Sequence, residues 1–144
     1  MQQIGGEGSV SEGLTGVLVK VLPTSAAAAR DQVDALLRAQ FLSGNEGIRD
    51  DIVWADALLV TSELVTNACR HGGGITGFSA KIHGDELFLT VADASTEFPV
   101  ARPRPPGQFT VGGYGWPMVS RLATSLTVVP TATGKRIEAV IPLM

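Results

Sequence analysis

Three polar residues, Glu63, Asn67 and His71, recur at steps of four inside the otherwise apolar run LLVTSELVTNACRHG, residues 58–72. Four residues advance an α-helix by about 400°, so these side chains form one slowly drifting stripe while the opposite side of the helix stays apolar. A polar stripe on a helix that otherwise belongs in a core needs partners. Two arrangements supply them: a solvated outer face, or the wall of a ligand pocket. In both, the rest of the chain must provide the apolar surface on which this helix packs.

The chain has 144 residues, enough for one domain that buries about two-thirds of its unfolded surface without metal or disulfide staples. Apolar residues make up 44% and charged residues 17%, a balance that rules out a disordered acidic segment. Eleven Lys and Arg against 14 Asp and Glu leave a net charge of −3. Such a chain has no general attraction to a phosphate backbone, so no nucleic acid is expected as a partner. The single cysteine, Cys69, excludes an intramolecular disulfide or a thiol metal cluster and suits a reducing, cytoplasmic setting. Cys69 itself reads as a small buried apolar residue. Apolar stretches such as Val17–Val19 are interrupted, here by Lys20, short of the ~20 residues that span a bilayer, so no membrane is expected. Residues 1–13, with Gly5, Gly6, Gly8 and Gly13 and no Lys or Arg, read as a flexible lead. Residues 14–144 then form a single domain.

Period-two spacing of Val17, Val19 and Val21 predicts a strand over 14–22, ended by Pro23. A helix capped by Thr24 or Ser25 follows, with Val33, Leu36, Leu37 and Phe41 as its buried stripe. Ser43, Gly44, Asn45 and Gly47 break it. The striped helix starts near Asp50 or Asp51 and ends at Gly72, Gly73 and Gly74. Residues 75–83 and 86–93 predict an antiparallel hairpin turned at Gly84 and Asp85. Between Ala94 and Gly113, Pro99, Pro103, Pro105, Pro106 and Gly107 mark a long functional loop, read as a lid. Residues 114–123 predict a short helix that tolerates Pro117 in its first turn. A last hairpin, 125–129 and 136–143, turns at Thr133 and Gly134.

Two features outside the stripe also carry chemistry. Asp93 ends a strand and so stands at the margin of the sheet, where an aspartate is either a turn former or a ligand-directed carboxylate. Gly112, Gly113 and Gly115 precede a helix N-terminus, where free N–H groups and the positive end of the helix dipole favour an anion. A metal hydrolase built on Glu63 and His71 is disfavoured, since the chain's two histidines, His71 and His83, lie too far apart for a short-spaced zinc helix.

Taken in order, Glu-x-x-x-Asn-x-x-x-His, strand-end Asp, proline-rich loop, Gly-Gly-x-Gly helix and closing hairpin, the chain from Leu14 onward resembles the histidine-kinase-like ATPase (GHKL) superfamily. SELVTNACRHG resembles its N box. The compact form resembles the stand-alone anti-sigma factors with serine kinase activity. The resemblance implies an α+β fold, a two-layer sandwich of a mostly antiparallel mixed sheet on about three helices. It also implies ATP and Mg²⁺ as cofactors. Its expected partners are a sigma factor and an anti-anti-sigma (STAS-type) antagonist, and a homodimer paired through the N-terminal strand fits the same picture.

Residue roles follow from the same resemblance. Glu63 matches the catalytic base for the attacking hydroxyl; read from the residues alone it is a solvated helix carboxylate. Asn67 matches the amide whose oxygen holds Mg²⁺, against an ordinary helix-face amide. His71 either contacts phosphate or complements the helix C-terminus. Asp93 matches the carboxylate that accepts from the exocyclic amine of adenine. Gly112, Gly113 and Gly115 match the second glycine box, and Arg102 and Arg104 stand where the lid would close over a triphosphate. The sequence departs from the family at three places. Ser95 and Glu97 replace glycines of the first box, which stiffens the backbone there. Trp116 and Pro117 follow Gly115 in place of an aliphatic residue, and Lys135 and Arg136 stand near where a hydroxyl residue is expected. The expected activity is phosphorylation of a serine on the antagonist by a sigma-sequestering protein. The alternative is a noncatalytic regulator of the same fold that binds ATP, or no nucleotide, and recognises protein alone.

Overall fold

The computed structural model describes residues 22–41, 51–71, 73–97 and 115–143. Residues 1–13, the strand expected over 14–22 apart from Leu22, the breakers at 43–47, Gly72 and the loop beyond Glu97 up to Tyr114 lie outside these residues.

Helix α1 spans Ala26–Phe41. Ser25 caps it, its Oγ accepting the Ala28 N–H at 3.0 Å, which satisfies one of the N-terminal donors that a helix leaves unpaired. Ala29, Val33, Leu36, Leu37 and Phe41 are buried, the three-four spacing of a single packed stripe. Helix α2 spans Asp51–His71 and buries Ala57, Val60, Thr61, Leu64, Val65 and Ala68. The buried Thr61 hydroxyl donates to the Ala57 carbonyl at 2.8 Å, so it brings no unsatisfied group into the core. At the C-terminus of α2 the Gly74 N–H bonds the Ala68 carbonyl at 3.0 Å, closing one of the carbonyls left open there.

The two helices run antiparallel. Phe41, at the end of α1, meets the Trp54 ring near the start of α2, with centroids 6.4 Å apart. Trp54 Nε1 donates to Asp34 at 2.8 Å, and Arg30, near the start of α1, donates to Ser62 Oγ at 2.8 Å. By length and composition α2 is apolar enough to cross a bilayer, which corrects the expectation that no segment reaches that size. In the fold it packs against α1, against the sheet and against α3 (Gly115–Leu122), the surroundings of a core helix.

Among the described residues the sheet contains β1 (Ile75–His83), β2 (Glu86–Asp93), β3 (Ser125–Pro130) and β4 (Lys135–Pro142), in the order β1-β2-β4-β3. Every pairing is antiparallel, so the mixed character expected of the sheet is not seen among the described residues. Gly84 turns the β1–β2 hairpin at φ 65°, and no non-glycine residue among those described has positive φ. Glycine at the first of two turn positions is the type II′ solution, whose twist matches the flanking strands.

Alternation puts Phe78, Ala80 and Ile82 of β1, Leu87, Leu89 and Val91 of β2, and Ile137, Ala139 and Ile141 of β4 in the core, facing the helices that cover them. Among the described residues the architecture is the α+β, two-layer arrangement of three helices on an antiparallel sheet. Elsewhere it departs from the expected elements only at their ends. Helix α3 begins at Gly115, β3 continues to Pro130 and β4 begins at Lys135.

Candidate functional site

At one end of the sandwich the Asp93 strand end meets the turn that leaves the striped helix. Antiparallel pairing brings the start of β1, the end of β2 and the start of β4 together: Ile75 is opposite Asp93, and Asp93 is opposite Lys135. The C-terminus of α2 arrives at the same end. A side chain at Gly73, two residues past the helix, would meet Ala94 Cβ at 3.7 Å, so the turn out of α2 lies against the residue that follows Asp93. The β1–β2 register slips between Ile75 and Gly77. Such a bulge bends a strand locally, and this one stands directly beside Asp93.

Asp93 is 4% exposed and Lys135 5%. Lys135 Nζ is 3.0 Å from Oδ1 and 3.0 Å from Oδ2 of Asp93. Asp93 Oδ1 also accepts the Ser95 N–H at 2.9 Å, and Ser95 Oγ accepts the Glu97 N–H at 3.0 Å. The side chains of Asp93 and Ser95 thus hold the backbone that leaves the strand, one two-residue link after another. Gly134 fixes the other side of the pair: a Cβ there would overlap the Asp93 carbonyl oxygen and the Ala94 backbone. The absence of a side chain lets the β3–β4 turn press against β2 and seats Lys135 beside the carboxylate.

Glu63 and Asn67 are half-buried and His71 is exposed. With buried residues at 60, 64 and 68, the stripe runs along one flank of the packed face of α2. It spans about 12 Å from Glu63 to His71 and ends two residues before Gly73, the glycine that lies against Ala94. The stripe is therefore neither a fully solvated outer face nor a sealed core feature. Gly115 opens α3, whose Trp116 packs on the core and whose Val119 is buried. Gly112, Gly113, Arg102 and Arg104 lie outside the described residues.

Two residues differ from what the sequence leads one to expect. Cys69 is exposed, not buried. With Arg30 opposite Ser62, the start of α1 at Ala26 lies about level with Thr66, so the last turn of α2 runs past its covering helix. Lys135 is the partner of Asp93, a role that sequence reasoning missed. Their contact joins residues 42 positions apart and depends on the β2–β4 register. The available signal was a lysine on the inward-facing side of an otherwise apolar alternation. A groove of about 320 Å³ lined by Gly77, Phe78, Ser79, Thr90, Ala92 and Arg136 draws all its residues but Phe78 from the phase turned away from the helices.

The chain matches the family model described as "Histidine kinase-like ATPase domain" over residues 19–141. No curated protein matches it. Among solved structures it is similar to the histidine kinase domain from Erythrobacter litoralis EL346 blue-light activated histidine kinase, with 19% identity and a TM-score of 0.49. That match covers 90% of this chain and 66% of that one; the chain thus spans just under two-thirds of the length of that relative. With the family model spanning most of its length, the chain belongs to the histidine kinase-like ATPase family, and that membership implies ATP binding.

Proposed function

We propose that this protein is an ATP- and Mg²⁺-dependent anti-sigma factor. In this reading it phosphorylates a serine on a STAS-type antagonist and holds a sigma factor while that antagonist is phosphorylated. The observation that carries the reading is the convergence of the α2 stripe and the Asp93 strand end on one end of the sandwich, within a chain of an ATP-binding family. The residues present fit a nucleotide. Asp93 Oδ2 contacts only Lys135 among the described residues, which leaves acceptor capacity for a base N–H. Asn67, half-buried one turn before the end of α2, offers a neutral oxygen suited to a hard cation.

In the proposed reaction, Glu63 accepts the proton of the antagonist's serine hydroxyl as that oxygen bonds the γ-phosphorus. The bond from the γ-phosphorus to the β,γ-bridging oxygen breaks, and ADP leaves. Mg²⁺ held at Asn67 would neutralise charge on the phosphates. His71, exposed at the end of the stripe, is proposed as a phosphate contact, and Gly112, Gly113 and Gly115 as backbone that approaches the phosphates. A homodimer, the absence of nucleic-acid and membrane partners, and a cytoplasmic location belong to the same proposal.

A second reading, a noncatalytic or nucleotide-free regulator, is favoured by one observation: the Asp93 carboxylate already has a buried cationic partner. Transfer of labelled γ-phosphate from ATP to a serine-bearing antagonist separates the two. The kinase reading expects transfer by the wild type, and a drop of about 10²–10⁴ in Glu63→Ala with nucleotide binding retained. Transfer by Glu63→Ala at the wild-type rate removes Glu63 as the base. ATP binding without any transfer in the wild type supports the second reading.

A further inference from the structure

We propose that Lys135 is a specificity-determining residue of the nucleotide site, and that the Asp93–Lys135 pair lets this protein accept 6-oxopurine as well as adenine nucleotides. The inference rests on the nucleotide-binding reading above and concerns the base that the site selects.

A lone buried carboxylate is an acceptor only, and it favours a base that turns an N–H toward it. Here the acceptor does not stand alone. Lys135 Nζ lies 3.0 Å from each Asp93 oxygen. Of its three N–H donors at most two are engaged by the carboxylate, and the described residues offer no third acceptor. Asp93 Oδ1 is taken up by Ser95 N–H and Lys135, whereas Oδ2 has Lys135 alone. The pair therefore offers one spare acceptor and one spare donor side by side, at the sheet end that the α2 stripe reaches.

Adenine donates from its C6 amine and accepts at N1. Hypoxanthine accepts at O6 and donates from N1. The two edges are reversals of each other, and a site with one donor and one acceptor satisfies either, the flexible lysine stem allowing Nζ to move between them. Discrimination by hydrogen bonding is large only when the wrong ligand leaves a buried group unpaired. With Lys135 present, neither base does so.

The test is competition of ATP and ITP against a fluorescently labelled adenine nucleotide on the wild-type protein. The inference expects the two affinities to agree within about tenfold. In Lys135→Met, which removes the donor, the ITP affinity should fall at least tenfold relative to ATP, and Lys135→Arg, which keeps the cation, should preserve the wild-type ratio. If wild-type protein binds ATP more than about tenfold tighter than ITP, the inference fails while nucleotide binding stands. It fails in the same way if a folded Lys135→Met leaves the ratio unchanged. If no nucleotide binds the wild type, the functional reading fails and this inference with it. The wild-type ratio decides the matter even where Lys135→Met does not fold.

Discussion

At one end of the β2–β4 ladder Leu87 stands opposite Ile141, both buried among apolar neighbours, and the Leu143 N–H bonds the Asp85 carbonyl at 2.8 Å. At the other end, on the same face and equally enclosed, Asp93 stands opposite Lys135. The apolar end gains stability with every buried methylene. The charged end must first recover the cost of removing two ions from water, and such pairs are often no better for stability than apolar residues of the same volume. One ladder thus carries a terminus built for cohesion and a terminus whose chemistry stability alone does not explain. The proposed function assigns the nucleotide to the charged terminus.

Mutations at the two termini sharpen or break this contrast. Lys135→Ala should have the largest effect, a loss of about 3–5 kcal/mol in denaturant unfolding, because it leaves the Asp93 carboxylate buried without a counter-charge. The double variant Asp93→Leu with Lys135→Met should be at least as stable as the wild type while nucleotide binding disappears. Stability well below wild type in that double variant would mean that the pair is a structural element after all. Leu89→Ala, in the apolar row, should lose about 2–5 kcal/mol through cavity formation, with no change in the nucleotide preference of the protein that remains folded.

Asp34 lies outside both termini and provides the low end of the scale. Arg38 donates to it at 2.7 Å and Trp54 at 2.8 Å. The Arg38 guanidinium, helped by the indole N–H, holds its carboxyl below the usual carboxylate range despite some burial. A lowered carboxyl pKa stabilises the fold above the unfolded value of about 3.9, and that contribution is lost as the pH falls through the folded value. Asp34→Asn should therefore differ from the wild type barely beyond the scatter of ordinary surface substitutions at neutral pH. The difference should vanish in acid unfolding curves taken once the pH has fallen below the folded value of this carboxyl.

Much of this fold can be read from local signals. The hairpin of β1 and β2 follows from the Gly84–Asp85 turn, and the end of α2 follows from the glycines after His71. Val33, Leu36, Leu37 and Phe41 declare the packed side of α1 through their spacing alone. What stayed hidden depends on contacts between distant segments. Lys135 looks like the start of a surface strand until the register with β2 sets it against Asp93. Cys69 looks like core until the relative lengths of α1 and α2 show that its turn extends past the cover. Periodicity reports which side of an element is apolar, whereas the antiparallel offset between elements decides where that side ceases to be covered.

The two tryptophans sit in different helices: Trp54 is tied to Asp34 and Phe41 at the α1–α2 seam, while Trp116 occupies the first turn of α3. A Trp54→Phe protein would carry a single indole, located where α3 begins. Its emission maximum would serve as a native optical gauge of rearrangement in that turn, with no dye attached and the α1–α2 seam silent in the spectrum.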